Sequence, residues 1–459
     1  MHYDLIVIGG GPAGYVGAIR AAQLGRKVAC VEKERAGGTC LNWGCIPTKS
    51  LLRNAELYHL MKHRAADFGF QVEGLSYDWG KVIKRSRDVS DKNAAGIEFL
   101  FKKNKVEYVR GEAFLDKAGE VKVKLTSGKE ETHTADNILI STGVVSRPLP
   151  GLPFNGKTVI GSREAMILEP QPKRMIIIGA GAIGVEFAYF YNAFGTKVTL
   201  IEMMPDILPV EDTEVSKTLE KALSKQGIKI LTGTKTTKTE TTAKGVRVTV
   251  EGKSGETLEA DVCLVAIGVV PLLPGGKLKL ELTDRGYIAT DERYETSAKG
   301  IFAAGDIIGP PWLAHVASWE AIQAVEGMFG EIEPRKIRIF PGCTYCQPQV
   351  ASIGLTERAA KESGRKFRVG KFPFSASGKA RAIGETEGFV KLIIAEPHGE
   401  ILGAHIIGPE ATEMIAELGI AMTLEATYEE IEATIHAHPT LSESVHEAAG
   451  QAFGHAIHI

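Results

Sequence analysis

Cys40 and Cys45 stand five positions apart in the stretch Gly37-Gly38-Thr39-Cys40-Leu41-Asn42-Trp43-Gly44-Cys45-Ile46-Pro47-Thr48-Lys49. Such a pair is either a redox dithiol or two ordinary thiols, and backbone geometry bears on the choice. In a regular α-helix, positions i and i+5 lie roughly 8–9 Å apart at Cα. A disulfide needs about 4.4–6.8 Å. A bond between these two therefore requires a distorted helical turn, and Gly44 and Pro47 are the residues that permit one. Such a bond is strained and readily reduced, which suits a redox switch better than a staple. Near the other end, His438 precedes Pro439, with Glu443 five positions on. An imidazole whose unperturbed pKa is near 6.5 can act as a base at neutral pH, and a carboxylate can orient it. A lone histidine is more often a core or capping residue, and His436 and His446 are read that way.

The elements that must position these groups are written in the glycines. Leu5-Ile6-Val7-Ile8 reads as a buried strand leading into Gly9-Gly10-Gly11-Pro12-Ala13-Gly14, a helix from Tyr15, then Val28-Ala29-Cys30-Val31 and Glu32. This is the βαβ dinucleotide fingerprint in context. The glycines allow a tight turn and close approach of a pyrophosphate to a helix N-terminus, and the acid meets a ribose hydroxyl. The unit returns 170 residues later as Met175-Ile176-Ile177-Ile178, Gly179-Ala180-Gly181-Ala182-Ile183-Gly184, Val198-Thr199-Leu200-Ile201 and Glu202. From first glycine to acid is 23 positions in both copies. Two such units imply two dinucleotides. Glu202 repels a 2′-phosphate, and Met203-Met204-Pro205 offers no arginine to hold one, so the second nucleotide is expected to be NAD. Further strands end at Ser141-Thr142-Gly143, at Gly268 and at Gly305-Asp306, and a carboxylate at a strand's end is well placed to meet a ligand.

Composition bounds the rest. The 459 residues suit about three domains. Hydrophobic content of 44% and charged content of 24% are those of an ordinary globular protein. A net charge of −2 gives no reason to expect nucleic acid or an anionic membrane as partner. Lys84-Arg85-Ser86-Arg87 and Lys102-Lys103-Asn104-Lys105 read as solvated helix faces. The N-terminus lacks a basic region with a long apolar run, and no apolar stretch is long enough to span a bilayer. Six cysteines do not make a disulfide scaffold, so the expected compartment is the cytoplasm. Cys343-Thr344-Tyr345-Cys346 lacks a second ligand pair at zinc spacing and is read as two structural thiols, with no metal expected.

Taken together, Gly38-Thr39-Cys40-Leu41-Asn42-Trp43-Gly44-Cys45-Ile46-Pro47, the two fingerprints, Ala304-Gly305-Asp306, Leu313-Ala314-His315 and His436-Ala437-His438-Pro439-Thr440 with Glu443 form one ordered set. In these marks the chain resembles the dihydrolipoamide dehydrogenases, within the flavoprotein disulfide reductases (class I pyridine nucleotide-disulphide oxidoreductases), over essentially its whole length. The resemblance implies an α/β fold with two Rossmann-like dinucleotide-binding domains and a C-terminal α+β dimerisation domain. The expected divisions are 1–146 for FAD and the dithiol, 147–270 for NAD, 271–335 completing the FAD site, and 336–459 for the dimer interface. FAD is expected on Gly9, Gly11, Pro12, Ala13, Gly14, Glu32, Lys33, Thr39, Lys49, Ala113, Thr142, Gly143, Asp306 and Ala314. NAD is expected on Gly179, Gly181, Ile183, Gly184, Glu186, Glu202 and Gly268, with Glu186 pairing with Lys49. Cys40, Cys45, His438 and Glu443 are the expected catalytic residues, His438 reaching the partner's Cys40 in a homodimer.

The activity implied is oxidation of protein-bound dihydrolipoamide with reduction of NAD⁺. Expected partners are lipoyl domains and the core acyltransferase of a 2-oxo acid dehydrogenase complex, or the lipoyl carrier of glycine cleavage, with the lipoyl group on another chain. Three rivals read less well. A glutathione reductase is expected to carry basic residues after the second fingerprint, a mercuric reductase to end in a cysteine pair, and a purely structural subunit to have lost its redox residues. Gly342-Cys343-Thr344-Tyr345-Cys346-Gln347-Pro348 departs from the Tyr-Thr-His-Pro usual in the family, Trp319 stands where a polar residue is commoner, and Thr48 replaces a commoner serine.

Overall fold

A computed structural model describes residues 1–252, 255–330 and 332–459. By packing, the chain divides into two units: Met1–Leu51 with Asp78–Arg147 and Gly268–Arg338, and Leu52–Tyr77 with Pro148–Ile267 and Ile339–Ile459.

In the first unit, β1 (His2–Ile8), α1 (Pro12–Gln23) and β2 (Val28–Glu32) make the first βαβ unit. The helix starts at Pro12, three residues earlier than the apolar pattern indicates, because proline at N1 is preset for helical φ and has no N–H to satisfy. Then α2 (Gly38–Trp43) and α3 (Cys45–His59) carry the cysteines, followed by α4 (Trp79–Lys103) and the strands β3 (Glu107–Lys117), β4 (Glu120–Leu125) and β5 (Glu130–Ile140). β1 lies between β2 and β5, parallel to both, with Val7 opposite Cys30 and Leu139. A strand flanked on both sides in a parallel sheet is buried on both faces, which is why it reads as an unbroken apolar run. The strand Ile301–Ala303 adds alongside β5, shorter than its apolar run, and Gly305-Asp306 follow as a turn. Gly17 of α1 faces Ala321 and Val325 of the helix Ala314–Phe329, and its missing side chain lets the two pack closely.

In the second unit the pattern recurs. The strand Arg174–Ile178 lies between Lys197–Ile201 and Val262–Val265, again parallel to both, with Ile178 opposite Ile201 and Val265. Residues 341–408 build a five-stranded antiparallel sheet whose central strands, Phe389–Ala395 and Ile401–Gly408, are wholly buried. The helices Ala411–Thr423 and Glu443–Gln451 pack their apolar faces into the same core. One cation is deeply buried there. Lys391, with a side chain 1% exposed, bonds to Asp212, Glu214 and Glu357 at 2.7–3.0 Å. Three carboxylates around one ammonium leave it fully paired, which a buried charge requires. Tyr58 stacks on Phe194, and the Tyr77 hydroxyl donates to the Phe194 carbonyl, which ties 52–77 into this unit.

Candidate functional site

The dithiol sits on the distorted turn that its spacing demands. α2 ends at Gly44, whose φ of −147° and ψ of −117° are far from helical, and Cys45 begins α3. A Cβ on Gly44 would lie 3.1 Å from the Thr39 carbonyl oxygen, closer than an ordinary contact. Pro47 falls in the first turn of α3, where a missing N–H costs nothing. Thr48 closes that turn by donating its hydroxyl to the Gly44 carbonyl at 2.7 Å. Within this break Cys40 shares a side-chain hydrogen bond with Cys45. That bond, then burial, then the charge of Cys45 push the Cys40 thiol up, and Lys49, on α3, pulls the other way. In the dithiol state a thiolate at Cys40 beside a charged Cys45 is therefore strongly disfavoured. Tyr15 of α1 stands close enough to sense both: burial first, then Cys40 and Cys45, raise its phenol. Nothing in the local sequence marks Tyr15 as a neighbour of the dithiol; only the packing of α1 does.

Two arginines brace this segment from α4. Arg87 donates to the Asn42 carbonyl at 2.7 Å and lies over the Trp43 ring at 4.7 Å, and Arg85 donates to the Ser50 hydroxyl at 2.6 Å. The expectation of a plain solvated face at 84–87 is thereby corrected. Lys84 and Arg85 are exposed and Lys84 pairs with Asp88, but Arg85 and half-buried Arg87 each reach the dithiol helices, where they meet carbonyls and a hydroxyl.

The first glycine turn is built for a phosphate to approach. Gly9 has φ of +101°, and a Cβ there would lie 2.4 Å from the Ser141 carbonyl oxygen. A Cβ on Gly14 would lie 1.8 Å from the Gly9 carbonyl oxygen. Gly11 is the N-cap of α1, with Pro12, Ala13 and Gly14 forming the first turn. The dithiol segment is locked to this turn: Gly37 donates to the Gly10 carbonyl at 2.8 Å, and a Cβ on Gly38 would lie 2.6 Å from the Gly11 Cα. Glu32, buried at the end of β2, accepts from the backbone N–H of Gly10 and of Glu34, each at 2.7 Å. Each oxygen keeps further lone-pair capacity for a ribose hydroxyl. Lys33 and Thr39 are exposed, Ala113 puts its methyl into the β-sheet core, and Ala314 opens a sixteen-residue helix. The Thr142 hydroxyl, next to Gly143, is buried without a hydrogen-bond partner. Burial raises the Asp306 carboxyl to about 6. Buried polar groups are normally paired, so an orphaned hydroxyl beside an open glycine turn marks a place where a ligand completes the bonding.

The second turn repeats the first atom for atom. Gly179 has φ of +100°, its Cβ would lie 2.4 Å from the Ala266 carbonyl oxygen, and a Cβ on Gly184 would lie 1.9 Å from the Gly179 carbonyl oxygen. Gly181 caps the helix Ala182–Ala193, and Ile183 is half exposed in its first turn. Glu202 accepts from Ala180 and Met204 at 2.7 and 2.8 Å, as Glu32 does from Gly10 and Glu34. Met203 and Met204, which follow Glu202, are both exposed. Glu186 is buried and accepts from the Tyr345 N–H at 3.0 Å. Gly268, with φ of +113°, begins the last segment of the first unit, which also holds Lys49, while Glu186 belongs to the second.

His438 and Glu443 are brought together in the second unit. His438 Nδ1 lies 2.9 Å from Glu443 Oε1, and Glu443 Oε2 accepts from the Thr440 N–H at 2.7 Å. The carboxylate can only accept, so Nδ1 carries a hydrogen, and in the neutral ring Nε2 keeps its lone pair. That is the tautomer of a general base. Burial works to raise the Glu443 carboxyl, but the Thr440 N–H and then His438 outweigh it and hold the group below its ordinary value. The His438 side chain is 80% exposed, open to a reactant. Cys346, by contrast, is fully buried with its sulfur 3.4 Å from the Pro348 carbonyl, and Cys343 bonds to Tyr345. Among the described residues no group of three or more His, Cys, Asp or Glu could hold a metal ion.

Residues 3–321 match the model of the pyridine nucleotide-disulphide oxidoreductases, and residues 340–449 that of their dimerisation domain. The chain belongs to this family. Among similar proteins is a dihydrolipoyl dehydrogenase of Chlorobaculum parvum, 48% identical over 98% of this chain and 96% of that one. A dihydrolipoyl dehydrogenase of Rhizobium etli is 46% identical over 99% of each. Among solved structures, LpdA from Mycobacterium tuberculosis superposes with a TM-score of 0.89 at 27% identity, covering 97% of this chain and 98% of that one. The α/β fold with paired nucleotide-binding units is thus that of an oxidoreductase using FAD and NAD, and the dimerisation domain goes with a homodimer. Both glycine turns fit these cofactors: each would be filled by a single Cβ, and each carries its carboxylate at the strand end. Among the described residues no helix is long and apolar enough to cross a membrane.

The twin turns make a clean test. Gly184→Ala is expected to yield a yellow protein with full FAD content that has lost about 10²-fold or more in kcat/KM for NAD⁺, since the added methyl would overlap the Gly179 carbonyl oxygen and distort the turn. Gly14→Ala is expected to lose FAD itself. Flavin absorbance and steady-state rates check both, and loss of FAD from the Gly184 variant would contradict the assignment of the two turns.

Proposed function

We propose that this protein is a dihydrolipoamide dehydrogenase: it oxidises protein-bound dihydrolipoamide through Cys40 and Cys45 and passes the electrons to NAD⁺. The observation that carries the reading is the pairing of a hydrogen-bonded dithiol on a broken helix with a His–Glu base whose Nε2 is free to take a proton. In the oxidised enzyme Cys40 and Cys45 form the disulfide. His438, contributed across the homodimer, removes a proton from one substrate thiol. The thiolate attacks the Cys40 sulfur, the Cys40–Cys45 bond breaks, and Cys45 leaves as a thiolate. The second substrate thiol then displaces Cys40, releasing lipoamide and leaving the enzyme as a dithiol. Lys49 and the N-terminus of α3 offset the negative charge that appears at the pair. FAD, when bound at the first turn, supplies the two-electron relay between this dithiol and the nicotinamide.

In this reading Gly9, Gly11, Pro12, Ala13, Gly14, Glu32, Lys33, Thr39, Lys49, Ala113, Thr142, Gly143, Asp306 and Ala314 hold FAD. Gly179, Gly181, Ile183, Gly184, Glu186, Glu202 and Gly268 hold NAD. The divisions near 146, 270 and 335 separate the FAD, NAD, FAD-completing and interface segments. The substrate arrives on lipoyl domains of a 2-oxo acid dehydrogenase complex or on the lipoyl carrier of glycine cleavage, in the cytoplasm, where a reducing environment keeps the remaining thiols unpaired.

The test is NADH formation by purified protein with dihydrolipoamide and NAD⁺, beside NADP⁺. Turnover with NAD⁺ and at most about 1% of that rate with NADP⁺ is expected, from the carboxylate Glu202 facing a 2′-phosphate. A protein that binds FAD and oxidises NADH but ignores dihydrolipoamide would point to a different disulfide substrate.

A further inference from the structure

His436 lies two residues before His438 on an exposed segment, yet it is not exposed itself. Ile435 is 96% exposed, whereas the His436 side chain is only 7% exposed. Both ring nitrogens are engaged. Nδ1 is 3.1 Å from the Thr434 carbonyl oxygen, and Nε2 is 2.6 Å from Glu417 Oε1 on the helix Ala411–Thr423. A carbonyl and a carboxylate only accept, so each contact needs a hydrogen, and a neutral imidazole carries one. The second hydrogen lies in the contact with Glu417, between Nε2 and Oε1.

We propose that His436 is a positioning residue: its ring, clamped between Glu417 and the Thr434 carbonyl, pins the segment carrying His438 to the helix Ala411–Thr423. The proposal rests on the reading of His438 as the base. The segment is then tied on both sides. Upstream, His436 holds it to Glu417. Downstream, the Thr440 hydroxyl donates to the Ala437 carbonyl at 2.7 Å, and Glu443 takes the Thr440 N–H. The other titratable groups facing His436 are His446, from the helix Glu443–Gln451, with ring centroids 5.8 Å apart, and Glu443, whose carboxylate the His436 charge helps to keep ionised. The bond to Glu443 orients the His438 ring and the Thr440 contacts hold the segment downstream; the His436 clamp adds the hold on its upstream side.

Two measurements on the holoenzyme test this. In protein labelled with ¹⁵N-histidine, both ring nitrogens of His436 are expected to bear hydrogens at pH 7.5, and in Glu417→Gln one of them is expected to lose its hydrogen. A single protonated nitrogen in the unaltered protein overturns the proposal, whatever the activity. In kinetics, His436→Phe is expected to cut dihydrolipoamide oxidation by about tenfold to a hundredfold through misplacement of the base, while NADH-driven ferricyanide reduction, which does not need His438, stays within about twofold. Glu417→Gln, which keeps a hydrogen-bonding partner, is expected to retain more activity than Glu417→Leu. Equal loss of both reactions in His436→Phe, or no loss of the first, overturns the positioning role. The reading of His438 fails separately, by full activity of His438→Gln, and the nitrogen measurement does not depend on it.

Discussion

Cys45→Ser is expected to abolish NAD⁺ reduction by dihydrolipoamide, by roughly 10³-fold or more, because a residue that works as part of a chemical unit takes the whole unit with it. Serine fits where cysteine does, at the start of α3, so the fold and the FAD site should survive. What is lost is the sulfur that accepts the electron pair when the substrate thiolate attacks Cys40. Without it no disulfide can form with Cys40, and the enzyme has no oxidised state to receive a dithiol. The measurement is the steady-state rate beside NADH-driven ferricyanide reduction, which bypasses the dithiol. Full dihydrolipoamide activity in this variant would sink the scheme, since no other pair among the six cysteines shares its geometry: Cys30, Cys263 and Cys346 are buried core thiols.

The second large effect is at His438. Removing a general base costs typically about 10²–10⁴-fold, and His438→Gln is expected to lose that much in dihydrolipoamide oxidation while NADH-driven dye reduction persists. Glutamine can still donate to Glu443, so geometry is largely kept and the missing lone pair at Nε2 is isolated. Glu443→Gln is expected to lose less, since the Thr440 N–H and the helix start still hold the position, but it no longer selects the Nδ1–H tautomer. The pH dependence has a definite sign. The Glu443 carboxyl lies below its ordinary value in the folded chain, so its contribution to the order of this segment is complete above the ordinary carboxyl range. That contribution is lost only as pH falls through the depressed value. An acid limb near neutrality is therefore not due to Glu443, and comparing that limb in the unaltered protein and in His438→Gln shows whether the base carries it.

Much of this was legible before the structure, and the reason is local. The twin βαβ units announce themselves because strand, glycines, helix and acid lie within about thirty residues, and the requirement for glycine is steric: a single Cβ at Gly14 or Gly184 would overlap a carbonyl oxygen in the same turn. The break at Gly44 followed from the mismatch between a helical i,i+5 distance and the length of a disulfide. The arginines were misread for the complementary reason. Lys84-Arg85-Ser86-Arg87 has the composition of a solvated face, and the carbonyl of Asn42, which Arg87 meets, lies 45 positions away in the chain. His436 and His438 illustrate the same limit at close quarters. They are two residues apart in one motif, yet one is buried on Glu417 and the other is 80% exposed.

The sequence by itself determined the chemistry: a dithiol in a chain with two nucleotide turns, a histidine with a carboxylate five positions on, and an acid that disfavours a 2′-phosphate. These are short-range patterns, and short-range sterics and hydrogen bonding suffice to interpret them. Only the tertiary structure decided which charges are spent on holding the site. Lys391 is fully buried among three carboxylates, Arg87 caps a helix carbonyl, and Glu417 captures His436 from another helix. The pairing of a charge with its counter-charge across the fold depends on desolvation at that one place, and no pattern along the chain encodes it.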